Sequence, residues 1–191
     1  MMKLAWLLCI LVCLPFLGTA QKVKRDKYGM LANCHYPEGE REVRIKTTKE
    51  FKPGTPFPDF KYEDINGKTV TLKDFKGKYV LVDFWATYCG PCLDELPYLR
   101  KLEEAMAGKN IVFVSISKDR DRKAWENMLK KDKLGGVQWF GGKDGEIKTI
   151  IGLTTIPRFI LLDRKGRVIK IYMNRPSDPE TLKILQALKG I

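Results

Sequence analysis

Apolar positions recur along this chain with two periods, and their alternation predicts the architecture. Residues 79–85, Tyr79-Val80-Leu81-Val82-Asp83-Phe84-Trp85, are almost continuously apolar over one strand's length. Such a run predicts a central strand covered on both faces. Residues 111–116 predict a second. Between them Leu96, Leu99, Leu102 and Met106 recur at helical spacing. A second helix is expected over 121–131, with Ala124, Trp125, Met128 and Leu129 on one face and Gly135-Gly136 ending it. Residues 137–140 read as a short strand and 146–151 as a short helix or turn. Residues 159–162 and 168–173 flank Asp163-Arg164-Lys165-Gly166 and predict a hairpin. Ser177 with Glu180 reads as a capping box for a last helix carrying Leu182, Leu185 and Leu188. Ahead of all these, residues 60–65 and 69–72 flank Asn66-Gly67, a dipeptide that favours a tight primed turn.

The predicted order is ββ-β-α-β-α-β-(α)-β-β-α, an α/β sandwich with a mixed central sheet. The beginning of the chain does not share this pattern. Lys3 precedes an apolar run over 4–17, and Gly18-Thr19-Ala20 follows. This predicts a secretory signal peptide over 1–20, cleaved after Ala20. The run is short for an uncleaved membrane anchor. A lipidation site at Cys13 is disfavoured by the bulky Val12 before it. Residues 21–52 are charged and poor in apolar anchors, so they read as a linker, with a short strand over 42–47. Lys52-Pro53-Gly54-Thr55-Pro56 then punctuates entry to a domain over 53–191.

Composition narrows the class. The 191 residues are 44% hydrophobic and 30% charged, enough for one globular domain with appendages. The formal net charge is +12. Lys and Arg are scattered along the sequence and the chain carries an export signal, so a solvated basic surface is expected rather than nucleic-acid binding. Of the five cysteines, Cys9 and Cys13 would leave with the signal. Cys34, Cys89 and Cys92 are too few for a disulfide-built scaffold. Cys34, beside His35 in the linker, would be idle or pair with another chain.

Cys89-Gly90-Pro91-Cys92 directly follows the first central strand and opens a helix. Two thiols so spaced can close a small disulfide ring. A helix N-terminus places unpaired N–H groups and positive partial charge at a sulfur, which favours the thiolate. Pro91 sits where a helix start tolerates a missing N–H. Cys89 is the outward nucleophile in this reading and Cys92 the resolving thiol. A zinc site would need four ligands, usually from two such pairs, and only Cys34 and His35 remain to supply them. A purely structural bridge over so short a loop would gain little chain entropy. The chemistry calls for neither metal nor cofactor.

Residues 82–92, Val82-Asp83-Phe84-Trp85-Ala86-Thr87-Tyr88-Cys89-Gly90-Pro91-Cys92, closely resemble the thioredoxin active-site segment. Glu95-Leu96-Pro97, Phe57-Pro58-Asp59-Phe60 and residues 72–78 resemble the exported TlpA/ResA-like branch of that superfamily, and Thr155-Ile156-Pro157 is similar to its cis-proline loop. The resemblance covers about residues 53–191. It implies a thioredoxin fold with an N-terminal hairpin extension. It also implies a periplasmic or membrane-associated protein that reduces disulfides of exported proteins, fed by an upstream thiol electron donor. Cytochrome c maturation is the branch's best-known service. Membrane association is expected only if the signal stays uncleaved.

Supporting residues follow. Asp83 lies mid-strand in an apolar run, where an unpaired carboxylate is costly. It would keep its proton at neutral pH and shuttle protons to and from Cys92, as thioredoxins resemble at this position. Glu95, one helical turn after Cys92, would face the same region as the family's buried acid does, or remain a solvated acid near a helix start. Pro157 is expected cis, leaving a backbone edge free for a substrate strand. Trp85, Tyr88, Gly90, Pro91, Ile156 and Arg158 are expected to line the substrate groove. Tyr88 stands where tryptophan is usual, and Arg158 where a small hydroxyl residue is common. Trp125 and Trp139 read as core. Two rival functions are weighed. A peroxiredoxin-type peroxidase would need a hydroxyl residue at Ala86 and a proline at Val82, and has neither. A redox-inert binding module would not need both Cys89 and Cys92.

Overall fold

In the computed structural model, residues 51–142 and 145–191 are described. The predicted signal peptide, most of the linker, the 42–47 strand, Cys34 and His35 lie outside them. The apolar run after Lys78 forms β3 (Tyr79–Trp85), every residue of which is buried. It pairs in parallel with β4 (Ile111–Ser117) and antiparallel with β6 (Arg158–Leu162). The other strands are β1 (Tyr62–Glu63), β2 (Thr69–Val70), β5 (Val137–Phe140) and β7 (Val168–Met173). They complete a seven-stranded mixed sheet in the order β2-β1-β5-β4-β3-β6-β7. The N-terminal hairpin thus extends the sheet at its β5 edge.

Period-2 alternation in β3 divides its side chains between two cores. Val80, Val82 and Phe84 join Val114, Ile116 and Ile160 on one face, beneath Phe51, Tyr62 and α3 (Gly145–Ile151). Tyr79 and Leu81 join Phe113, Phe159 and Leu161 on the other, against Leu99, Leu102 and Met106 at α1 (Gly90–Ala105) and Leu185 of α4 (Pro179–Gln186). Each fully buried side chain of this size contributes roughly 1.5–3 kcal/mol. Two such layers offset the cost of the few polar groups buried between them. Phe51 is buried, with its ring centre 6.4 Å from that of Phe57.

α2 (Arg122–Asp132) starts on Asp121, whose carboxylate accepts from the Lys123 amide. It ends at Lys133, which adopts the left-handed conformation at φ 47°, ahead of the predicted Gly135-Gly136 stop. Arg122 ties this helix to the hairpin. Its guanidinium donates to Glu63 at 2.6 Å, to Glu126 at 2.8 Å and to the carbonyls of Asp64 and Ile65.

Two local expectations are corrected. The Asn66-Gly67 turn is not the primed two-residue type, because among these residues only Gly67 has positive φ. Instead Asp64 accepts the Gly67 amide on its carbonyl and the Asn66 and Lys68 amides on its carboxylate. Asp163 does the same for Gly166, Lys165 and Arg167 in the second hairpin. Both turns therefore use an aspartate to organise the loop and a glycine to reverse it. Second, Asp178 caps α4, accepting the Glu180 amide, and Ser177 does not.

Candidate active site

The carboxyl ends of β3 and β4 and the amino end of β6 lie at one end of the sheet, and the loops leaving them build the site. Cys89 is the N-cap of α1, with Gly90 and Pro91 in its first turn. The Cys89 carbonyl accepts the Cys92 amide at 2.9 Å and the Leu93 amide at 3.1 Å. This turn holds the two sulfurs together, and they form a disulfide. Cys89 is 8% exposed and Cys92 2%, so the bridge shows solvent mainly its Cys89 side. Gly90 and Pro91 are exposed and Tyr88 stands out at 71%. The peptide bond between Ile156 and Pro157 is cis, immediately before β6.

Asp83 pairs in register with Ser115 on β4 and Phe159 on β6, so it faces α1. Burial pushes its carboxyl up to about 8; a hydrogen bond with Ser115 opposes the shift, and the charges of Glu95 and Glu103 on α1 add to it. It therefore holds a proton at neutral pH beneath the helix that carries Cys92. Glu95 is buried too. Its Oε2 accepts the Ser177 amide at 2.9 Å, its Oε1 the Ser177 hydroxyl at 2.8 Å, and Arg175 Nη1 lies 3.8 Å from Oε1.

Two expected groove residues are placed elsewhere. Trp85 has no exposed surface and packs with Ala86, Cys89, Cys92 and Trp125. Arg158 is 4% exposed, with its guanidinium 3.8 Å from the centre of the Tyr172 ring. Pairing with Phe84 in the sheet turns it inward. Tyr88, Gly90 and Pro91 remain as exposed surface beside the bridge, with half-buried Ile156 and Pro157.

One part of the site was not foreseen. Asp119, just past β4, accepts both the amide and the hydroxyl of Thr87, the hydroxyl at 2.6 Å. The Ser117 hydroxyl also donates to it at 2.6 Å. Asp119 thus clamps the loop that delivers Cys89. Gly141 lets β5 close on this clamp, since a Cβ there would sit 2.8 Å from the Ser117 carbonyl oxygen. The available signal was the polar Ser117-x-Asp119 pair at the carboxyl end of a buried parallel strand, where sites in such sheets gather.

A mixed sheet with a redox dithiol at a helix start and a cis-proline loop defines a thioredoxin-fold protein. The Redoxin family model matches residues 52–188, and the chain belongs to that family. It is 36% identical over 125 residues to the thiol–disulfide oxidoreductase ResA of Bacillus thuringiensis, covering 64% of this chain and 72% of that protein. A crystal structure from Bacteroides vulgatus, assigned to the thiol–disulfide oxidoreductases, matches with a TM-score of 0.68 and 36% identity over 72% of this chain and 96% of that one. A solution structure from the same species, assigned likewise, is 51% identical with a TM-score of 0.60, over 71% and 93% of the two chains. Together with the Cys89–Cys92 pair, these relatives make the chain a TlpA/ResA-like thiol–disulfide oxidoreductase acting on protein disulfides. They speak against the peroxidase and redox-inert alternatives.

Proposed function

We propose that the protein reduces disulfides of exported proteins, with Cys89 as nucleophile and Cys92 as resolving thiol. The observation that carries this is the Cys89–Cys92 bridge at the start of α1, with Cys89 the more accessible of the two residues, above the buried Asp83, whose carboxyl burial pushes up to about 8. The Cys89 thiolate attacks one sulfur of a partner disulfide and expels the other as a thiolate. Asp83 gives up its proton towards the expelled thiolate, and the carboxylate so formed takes the Cys92 proton as Cys92 attacks Cys89 Sγ and expels the partner's second sulfur as a thiolate. The partner leaves with two thiols and the bridge re-forms. An upstream dithiol donor runs the same exchange in reverse to restore Cys89 and Cys92. Glu95 completes the buried acid pair. Pro157 and Ile156, with Tyr88, Gly90 and Pro91, offer the partner its seat. Apocytochromes, whose cysteine pairs must be reduced before haem attachment, belong to this substrate class. The signal peptide predicted over 1–20 supports work outside the cytoplasm, in the periplasm or on its membrane face, with the exported chain starting at Gln21.

The test is covalent trapping. Cys92→Ser removes the thiol that releases the partner, so exported partners should accumulate on Cys89 as bands that vanish on adding reductant. Cys89→Ser should trap almost none. Equal trapping by both variants, or by neither, would overturn the assignment.

A further inference from the structure

The basic residues scattered in sequence are gathered in space. The loop leading into β3 lies beside the β6–β7 turn, with the Gly77 amide donating to the Arg164 carbonyl at 2.8 Å. Together these segments bring Lys73, Lys76, Lys78, Arg164, Lys165 and Arg167 to one end of the sheet, all of them exposed. Asp59, Asp74 and Asp163 lie among them, each already engaged, and Glu103 lies at the same end of the sheet against Gly136, just ahead of β5. Asp59 pairs with Lys73 at 2.8 Å, Asp74 accepts the Thr71 amide, and Asp163 organises its turn.

A cavity of about 280 Å³ opens among these residues. Phe57, Leu72, Phe75, Val80 and Leu162 give it apolar walls, and four lysines, Lys73, Lys76, Lys78 and Lys165, line it against two carboxylates, Asp59 and Asp163. An apolar seat beside clustered ammonium groups matches a phosphate held on hydrocarbon. The described chain also enters here. The Gly54 and Phe57 amides donate to the Val168 and Gly166 carbonyls, and Arg167 donates to the Gly54 carbonyl.

We propose that this basic pole is a docking surface for an anionic phospholipid membrane. Lys78 immediately precedes β3 and Cys89 follows its other end, so the strand separates the pole from the dithiol by roughly 20 Å. A protein seated by its basic pole turns Cys89 away from the bilayer and towards soluble partners. The attraction is electrostatic, so it grows with anionic lipid and weakens with salt.

Co-sedimentation of the exported chain, residues 21–191, with vesicles tests this. Vesicles of phosphatidylcholine containing about one-third phosphatidylglycerol should bind it at least tenfold more strongly than phosphatidylcholine alone. The variant Lys76→Glu/Lys78→Glu/Lys165→Glu should lose that preference while reducing insulin disulfides at the wild-type rate. Lys76→Gln/Lys165→Gln should show a partial loss and keeps the test decisive if the triple reversal fails to fold. Equal binding of the wild type to both vesicle types overturns the proposal, as does an unchanged lipid preference in the variants. A preference for an acidic protein over anionic vesicles also overturns it.

Discussion

Ser177 grips both oxygens of Glu95, one with its backbone amide and the other with its hydroxyl, across 82 positions of sequence. The contact fastens the β7–α4 loop to the first turns of α1. Ser177→Ala removes the hydroxyl donor from a buried carboxylate, which costs about 1–3 kcal/mol. Thermal unfolding should register a drop of several degrees. An unchanged midpoint would show that the hydroxyl contributes nothing to the loop's attachment.

Asp83 should give the protein an inverted pH dependence. Its carboxyl titrates near 3.8 when unfolded and is pushed up to about 8 by burial in the fold. Below about pH 4 both states hold the proton. Between the two values only the native state does, so this group's contribution declines as pH rises through that window and levels off above it. The loss is on the order of 5 kcal/mol. Denaturant titrations from pH 4 to 9 should show Asp83→Asn gaining on the wild type as pH rises. Turnover should move the other way, with Asp83→Asn slowest at neutral pH, where the relay of the Cys92 proton matters. Wild-type rates in Asp83→Asn/Glu95→Gln from pH 6 to 9 would remove both acids from the mechanism.

The succession of strands and helices along the chain and the dithiol were legible because each rests on local pattern. The run over 79–85 needs two covered faces wherever it folds, and Cys89-Gly90-Pro91-Cys92 carries its chemistry within four residues. What escaped depends on partners distant in sequence. Ser177 looks like a helix cap until Glu95 claims its hydroxyl. Arg158 looks like a groove residue until β6 registers with Phe84 and turns it inward. The charged pole was invisible for the same reason, since its two loops are far apart in sequence and meet only in the fold, where the Gly77 amide donates to the Arg164 carbonyl.

Arg122 is a prediction of that nonlocal kind. It bonds Glu63, Glu126 and two hairpin carbonyls, with its guanidinium 5.5 Å from the Trp125 ring centre. Arg122→Ala should cost about 2–4 kcal/mol. Hydrogen exchange should rise first in residues 62–70. Arg122→Lys should restore little, because an ammonium cannot span the fork of acceptors. Uniformly raised exchange would place the loss elsewhere than the hairpin.

Asp119 should matter to catalysis without touching the reacting sulfurs. It accepts the amide and hydroxyl of Thr87, two residues before Cys89, and the hydroxyl of Ser117. These bonds fix where the chain leaves β3, and so where Cys89 meets the start of α1. Asp119→Ala leaves several buried donors unsatisfied and should destabilise the fold by about 2–4 kcal/mol. Asp119→Asn keeps the shape but presents an amide to one of the same donors, so its stability loss should be smaller. Both variants should loosen Cys89 relative to the incoming disulfide. Misplacement of a reacting group by about 1 Å can cost as much as 100-fold in rate. We therefore expect kcat/KM for insulin reduction to fall about tenfold in Asp119→Asn at a temperature where the variant remains folded. The reduction potential of the Cys89–Cys92 pair should shift as well, because the loop no longer holds Cys89 at the helix start that stabilises its thiolate. A variant that melts earlier yet keeps wild-type kcat/KM and potential would reduce Asp119 to a purely structural clamp.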